Sequence, residues 1–202
     1  YRVDRKALEK TLFPIGEFAS NDDVRSAARK LQIPTADKKD SQGICFVGKV
    51  GIKEFLSQFV ETQPGPIIDA AGREIGQHDG AIFYTIGQRH GLNVGGGLPY
   101  YVTGKDMDTN TVFVTTDLDD ASLWASVIEL CSAHWINTPK NTKLSARLRY
   151  RGPLVETNVQ TSGKVTKLSL GQAQRAIAAG QSAVLYDGEE VVGGGIVSRT
   201  FA

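Results

Sequence analysis

The sequence predicts an α+β protein that is mainly β, with a short helical N-terminal segment, a small central β-rich domain and a C-terminal six-stranded β-barrel. Apolar residues recur at helical spacing only before Pro64. Short apolar runs separated by turn residues follow Pro64. Six such runs lie beyond about Ser126, and their even spacing is typical of a closed barrel.

Helices are predicted in three places. The first spans about 4–13 and ends at Pro14. The second begins at Ser20, which has the spacing of a capping box with Asp23, and Pro34 ends it. The third is an amphipathic stripe over 52–60, whose apolar side chains we expect to pack in a core.

Strands are predicted between the turn residues. In the central region they span 67–69, 81–87 and 100–104, the last paired with 111–116. In the barrel, Thr161-Ser162-Gly163 and Asp187-Gly188 are typical of hairpin turns. The predicted barrel strands are 127–135, 143–150, 155–160, 165–170, 182–186 and 191–197.

Composition alone does not indicate a nucleic-acid partner, because 23 basic and 22 acidic residues leave a net charge of +1. A nucleic-acid interface would need basic groups gathered on one face. The candidates are Lys38, Lys39, Lys49, Arg89, Arg147, Arg149 and Arg151. No apolar run approaches the roughly 20 residues that cross a bilayer, so we expect a cytoplasmic protein without a membrane partner.

The two cysteines, Cys45 and Cys131, have neither the spacing of a zinc site nor that of a disulfide framework, and no metal site is predicted. Cys45 lies in a polar segment that follows Lys38 and Lys39, and nearby cations favour the reactive thiolate. The alternative is a small buried hydrophobe. Cys131 is expected to be an inert interior thiol in an apolar strand, and Trp124 and Trp135 are expected to anchor the core.

Four separated strings carry a family resemblance. They are Leu12-Phe13-Pro14-Ile15-Gly16-Glu17, Asp40-Ser41-Gln42-Gly43-Ile44-Cys45-Phe46, the segment from Tyr84 to Leu92, and a C-terminal set comprising 149–151, 180–184 and 193–196. In this order they resemble the tRNA-specific 2-thiouridylases of the MnmA/TrmU family, over essentially the whole chain.

The resemblance implies a particular domain organisation. The family's N-terminal adenylation domain has a Ser-Gly-Gly-x-Asp-Ser phosphate loop and another catalytic cysteine, and neither is in this sequence. We therefore expect a C-terminal fragment. Residues 1–45 would be the tail of that domain with the cysteine loop, 46–125 a central domain, and 126–202 a tRNA-contacting barrel similar to one in elongation factors.

The resemblance also implies a reaction. ATP, bound by the N-terminal domain, adenylates the 2-oxygen of the wobble uridine of tRNA, and a Cys45 persulfide delivers sulfur with release of AMP. A persulfide sulfur-donor protein loads Cys45. A disulfide between Cys45 and the catalytic cysteine of the family's N-terminal domain then helps to release the sulfur. The fragment alone is expected to be inactive and monomeric.

The tRNA-contacting residues follow from the same match, and they are Arg149, Tyr150 and Gln181. Possible loop or substrate contacts are proposed from the residues themselves, and they are Lys38, Lys39, Asp40, Gln88 and Arg89. From the residues alone, the lysines either lower the thiol pKa or contact phosphate, Asp40 organises its loop, and Arg147 to Arg151 is a strand with one solvent-exposed face.

Two other functions are considered. One is a non-catalytic tRNA-binding accessory module in which Cys45 is structural. The other is a thiol-redox protein, which the absence of a neighbouring second cysteine makes the weaker hypothesis.

Overall fold

The computed structural model describes residues 1–39, 52–92, 94–95 and 97–202. These residues form two compact units. The helical unit is Lys6–Glu61, and the β unit combines Tyr1–Arg5 with Thr62–Ala202. None of the helices in the described ranges is long and apolar enough to cross a membrane.

Three helices are described, and they are α1 (Arg5–Leu8), α2 (Asn21–Lys30) and α3 (Ile52–Leu56). The predicted cap of α2 is confirmed, because Ser20 Oγ accepts a hydrogen bond from the Asp23 amide at 3.2 Å. Helix α1 is shorter than predicted, because the backbone tightens after Leu8: the Lys10 amide donates to the Ala7 carbonyl at 3.1 Å and the Thr11 amide to the Leu8 carbonyl at 3.0 Å.

The expected core packing after α3 is wrong for its last apolar residues. The Phe59 ring lies 5.0 Å from that of Phe55, but Phe59 is 70% exposed and Val60 is 38% exposed. Helix α2 likewise contributes no buried residue. The sequence therefore placed the three helices, but it overestimated the length of α1 and α3 and did not identify what packs against the apolar residues.

The central sheet has the strand order β2-β1-β4-β3. Its strands are β1 (Gly65–Ile68), β2 (Glu74–His78), β3 (Tyr101–Asp106) and β4 (Thr111–Thr115). The predicted pairing of the last two is confirmed as an antiparallel hairpin. The apolar core beneath the sheet includes Ile67, Val102, Val112 and Val114, each at most 1% exposed.

Two features of the central sheet differ from prediction. The predicted strand at 81–87 is instead a 3-10 turn over Ala81–Phe83 followed by a loop. Ala81 and Tyr84 both enter the core, and that spacing of three fits a helical turn rather than a pleated strand. Strand β2 was not predicted, because its sequence Glu-Ile-Gly-Gln-His is mostly polar.

The predicted six-stranded barrel is confirmed as a closed antiparallel barrel with the order β10-β5-β8-β7-β6-β9. The core includes Ile128, Leu130, Leu168 and Leu185. Its strands are β5 (Trp124–Trp135), β6 (Lys143–Arg147), β7 (Leu154–Ser162), β8 (Val165–Arg175), β9 (Ser182–Asp187) and β10 (Glu190–Phe201).

Two barrel strands end at positions that differ from the prediction. Strand β6 stops at Arg147 rather than 150, and β8 continues to Arg175 rather than 170. The loop after β6, the last residue of β8 and the first residue of β9 consequently share one end of the barrel.

Candidate functional site

Arg149 and Tyr150 lie on a turn at the end of the barrel, outside any strand. The Gly152 amide donates to the Arg149 carbonyl at 2.9 Å, and Arg151 has a left-handed backbone with φ of 59°. Tyr150 is 87% exposed, and the Arg151 guanidinium carbon lies 5.2 Å from its ring centroid. The interpretation of 149–151 as the outer face of a strand is therefore wrong.

Gln181 precedes β9 at the same end of the barrel. Its Oε1 accepts a hydrogen bond from the Ala178 amide at 3.3 Å, and its carbonyl accepts one from Val197 at 2.8 Å. Gln181 and Arg149 line one cavity of about 20 Å³, which has room for roughly one water molecule. The structure thus brings together two residues that are 32 positions apart (181 − 149) in the chain.

Arg175 also lines this cavity, although sequence reasoning did not select it. Its backbone carbonyl accepts a hydrogen bond from Arg149 Nη2 at 2.6 Å. The Arg175 guanidinium carbon lies 5.9 Å from the ring centroid of Tyr101, the first residue of β3. No periodic signal in the sequence indicates this contact, because it joins the barrel to the central sheet.

Arg147 does not join the group around Arg149. It is half-buried in β6, and its guanidinium carbon lies 5.4 Å from the ring centroid of Tyr186. Arg147 was expected to share one basic face with the other candidates. It lies instead on the barrel wall, apart from Arg149. Lys49 lies outside the described residues.

Gln88 and Arg89 occupy the loop that follows the 3-10 turn. Gln88 Oε1 accepts from the Thr85 amide at 3.1 Å, and its Nε2 donates to the His90 carbonyl at 2.8 Å. Both ends of this side chain therefore stabilise the loop itself. Arg89 is exposed and lines a cavity of about 320 Å³ together with His90.

Two titratable groups with lowered pKa values neighbour this loop. Lys105 Nζ donates to the Tyr84 carbonyl at 2.9 Å, and burial lowers the pKa of that ammonium group. Burial also lowers the pKa of His78, whose Nδ1 accepts from the Gly80 amide at 2.9 Å. The His78 and Tyr84 ring centroids are 5.4 Å apart. His78, at 2% exposed, packs inside the unit, whereas Lys105 is exposed and holds the loop through its hydrogen bond to Tyr84.

In the helical unit, two α2 arginines hold the chain that leads toward the cysteine segment. Arg25 Nη1 donates to the carbonyls of Ala36 and Lys38, each at 2.9 Å. Arg29 forms an ion pair with Asp37 at 2.7 Å. Their spacing of four residues on one helix face was the available sequence signal, and it was missed.

Lys38 and Lys39 are both exposed. Asp40 and Cys45 lie outside the described residues. Their proposed roles therefore rest on the sequence.

Two predictions about apolar residues are corrected. Cys131 is exposed on β5, because its neighbour Leu130 points into the barrel and successive strand residues face opposite sides. Trp124 is 36% exposed, and its indole N–H donates to the Leu118 carbonyl at 3.0 Å. Trp135, as predicted, packs against the barrel core.

In the described parts of the chain, no phosphate loop for ATP is formed. The single Ser-Gly pair of the sequence, Ser162-Gly163, closes the hairpin between β7 and β8, so no helix N-terminus follows it to receive phosphate. Across the described ranges, no three His, Cys, Asp or Glu side chains converge in a way that could hold a metal ion.

Three family models match successive parts of the chain. One described as a tRNA methyl transferase HUP domain matches residues 1–49, and one described as a tRNA methyl transferase PRC-barrel domain matches 53–116. An aminomethyltransferase β-barrel domain model matches 126–197. Together the three models cover all of the chain except two short joining segments and the last few residues.

Curated relatives give the particular family. Proteins named tRNA-specific 2-thiouridylase MnmA are 41% identical in Ralstonia nicotianae and 36% identical in Streptococcus thermophilus. Another in Lysinibacillus sphaericus is 39% identical. The matches cover 99–100% of this chain but 54–57% of the relatives, so the chain spans about half their length. The chain belongs to the MnmA/TrmU family of tRNA-specific 2-thiouridylases.

Proposed function

We propose that this chain supplies the sulfur-carrying cysteine and the tRNA-contacting barrel of a tRNA-uridine 2-sulfurtransferase that acts at the wobble position. The observation that carries the proposal is the meeting of Arg149 and Gln181 on one cavity, beside the exposed Tyr150. The proposed domain boundaries are 1–45 for the segment with the cysteine loop, 46–125 for the central domain, and 126–202 for the barrel that binds tRNA.

The chemistry of each side chain suits RNA. The Arg149 guanidinium keeps N–H donors beyond the one bonded to the Arg175 carbonyl, and a planar fork pairs well with phosphate. Tyr150 presents an almost fully exposed ring on which an unstacked base can lie. Since Gln181 Oε1 is bonded to Ala178, its Nε2 remains the group that donates to a sugar or base.

Cys45 is the proposed sulfur carrier, loaded as a persulfide by a sulfur-donor protein. Lys38 and Lys39 are exposed on the chain that precedes it, where their charge favours a thiolate or meets a tRNA phosphate. Adenylation by ATP is assigned to the part of the family's length that this chain does not span, because the Ser-Gly pair of this chain closes a hairpin and the described residues form no phosphate loop. We therefore propose that this chain is inactive on its own and that it is monomeric.

Binding tests the barrel's role. An unmodified tRNA transcript is titrated with the chain, and with Arg149→Ala, Tyr150→Ala and Tyr150→Phe, at several salt concentrations. Arg149→Ala should reduce the slope of log affinity against log salt by about one. Tyr150→Ala should weaken binding by roughly 5- to 100-fold, as expected for a lost base stack, whereas Tyr150→Phe should retain it. Unchanged affinity in both alanine variants would contradict the proposal.

An assay for 2-thiouridine formation tests the proposed role of Cys45 as the sulfur carrier. In a protein of the relatives' length that carries this chain, Cys45→Ala should abolish 2-thiouridine formation and leave tRNA affinity intact. Cys131→Ala is the matched control and should keep activity, since Cys131 lies on the outer wall of the barrel. Full thiolation by Cys45→Ala would instead favour a non-catalytic tRNA-binding module.

A further inference from the structure

The Arg175 guanidinium is a second unneutralised cation beside Arg149. Both side chains are exposed and line the same cavity. In the part of the chain that the structure describes, neither has a carboxylate within ion-pair distance. The Arg175 side chain donates no hydrogen bond to any of those residues, so its five N–H groups remain available.

Arg175 is held by the central sheet rather than by an acid. Its guanidinium carbon lies 5.9 Å from the Tyr101 ring centroid, within the range of a cation–π contact. Such a contact orients a guanidinium without consuming its donors or its charge. An acidic partner would have cancelled the charge that a phosphate recognises.

Arg149 and Arg175 line the same cavity and both carry an unpaired positive charge, so an anion that contacts both side chains is attracted by two charges. The cavity, at about 20 Å³, is too small for a nucleotide, so the ligand must lie across its rim. A chain of phosphates offers successive charges at a spacing that neighbouring arginines can follow. The overall net charge of +1 makes this local concentration distinctive.

We propose that Arg175, supported by Tyr101, is a second phosphate-binding residue for RNA and extends the interface from the barrel onto the central sheet. This inference rests on the proposed function, because the RNA is the one that Arg149 contacts. The Arg149 bond goes to the Arg175 backbone carbonyl. Replacing the Arg175 side chain therefore leaves the support of Arg149 in place.

The experiment measures binding of an unmodified tRNA transcript by fluorescence anisotropy across a salt series. The variants are Arg175→Ala, Arg175→Gln, Arg149→Ala and the double alanine variant. Lys164→Ala is the matched control, because it removes one exposed positive charge at the opposite end of the same strand. Arg175→Gln keeps much of the aliphatic stem, which guards against a loss of packing, and thermal melts verify folding of each protein.

Arg175→Ala and Arg175→Gln should each weaken binding by roughly fivefold to tenfold near 0.1 M salt and lower the salt slope by about one. Lys164→Ala should change neither quantity appreciably. If the Arg175 variants behave like Lys164→Ala while Arg149→Ala weakens binding, the inference fails and the proposed function stands. If Arg149→Ala and Tyr150→Ala also leave binding unchanged, the proposed function fails, and the inference with it.

Discussion

At the scale of single residues, what a side chain touches decides its role more than its type does. Arg147, Arg149 and Arg175 share one chemistry, but Arg147 packs on the barrel wall and the other two face the same cavity. Gln88, selected as a substrate contact, uses both ends of its amide to hold its own loop. Gln181 uses only its oxygen, and its nitrogen stays free of the described residues.

His78 gives a prediction for the pH dependence of stability. Burial lowers its pKa in the folded state, whereas the unfolded chain has the ordinary value of about 6.5. The unfolded state therefore binds more protons as pH falls below about 6.5. Neutral His78 makes its full contribution to the free energy of unfolding above that pH. The contribution is lost progressively as the pH falls from about 6.5 to the lowered pKa of the folded state.

Urea unfolding at pH 7 and pH 5 checks this expectation by comparison with His78→Asn, whose amide oxygen can still accept from Gly80. The parent chain should lose more of its free energy of unfolding between the two pH values than the variant does. Equal losses would mean that His78 does not cause the dependence. The interval stays above the ordinary range in which the carboxyl groups titrate.

At the scale of secondary structure, closure of the barrel depends on how closely β10 approaches its neighbours. Strand β10 pairs with both β5 and β9, and it carries Gly193, Gly194 and Gly195 in succession. A Cβ at Gly194 would lie 2.4 Å from the Ala183 carbonyl oxygen and 2.9 Å from the Tyr1 ring. A side chain at this position would push the paired strand away.

Gly194→Ala should lower the free energy of unfolding by about 1–3 kcal/mol, because backbone atoms must move to admit the methyl group. Gly104→Ala is the matched control in a strand, since its nearest neighbour would be Phe113 at an ordinary 3.8 Å. That control should change stability by less than about 1 kcal/mol. Urea denaturation measures both, and an equal effect would show that close approach is not the cause.

At the scale of the whole β unit, the central sheet meets the barrel through the loop that contains Gly87. The Gly87 amide donates to the Val102 carbonyl at 2.7 Å, and Ala176 follows directly after Arg175. A Cβ at Gly87 would lie 2.3 Å from the Ala176 Cβ. The same junction carries the Arg175–Tyr101 contact, so its geometry bears on the proposed RNA interface.

Gly87→Ala should destabilise the chain by about 1–3 kcal/mol more than Gly163→Ala does. Both glycines have positive φ, +80° and +57°, but an added Cβ at Gly163 meets nothing within 4 Å, so the control isolates backbone strain. Adding Ala176→Gly should recover part of the loss, since it removes the clashing methyl and relieves the φ of 57° at Ala176. Urea denaturation gives each value, and the absence of recovery would locate the strain elsewhere.

Much of the fold was predictable because it depends on neighbours in the chain. The cap at Ser20, the hairpin between β3 and β4, and the six barrel strands all follow from local spacing and turn residues. The family resemblance was likewise carried by short contiguous strings. The candidate site was only partly accessible to such reasoning, since Arg149, Tyr150 and Gln181 came from that resemblance rather than from a pattern.

The sequence by itself determined the helical start of the chain, the six-stranded barrel and the family, because alternation, helical spacing and turn residues act over a few positions. Tertiary structure alone decided that β6 ends before Arg149, that Cys131 faces outward, and that Arg175 lies over Tyr101. These outcomes depend on the register of distant strands and on contacts between sheets. No short window of sequence contains both partners of such a contact.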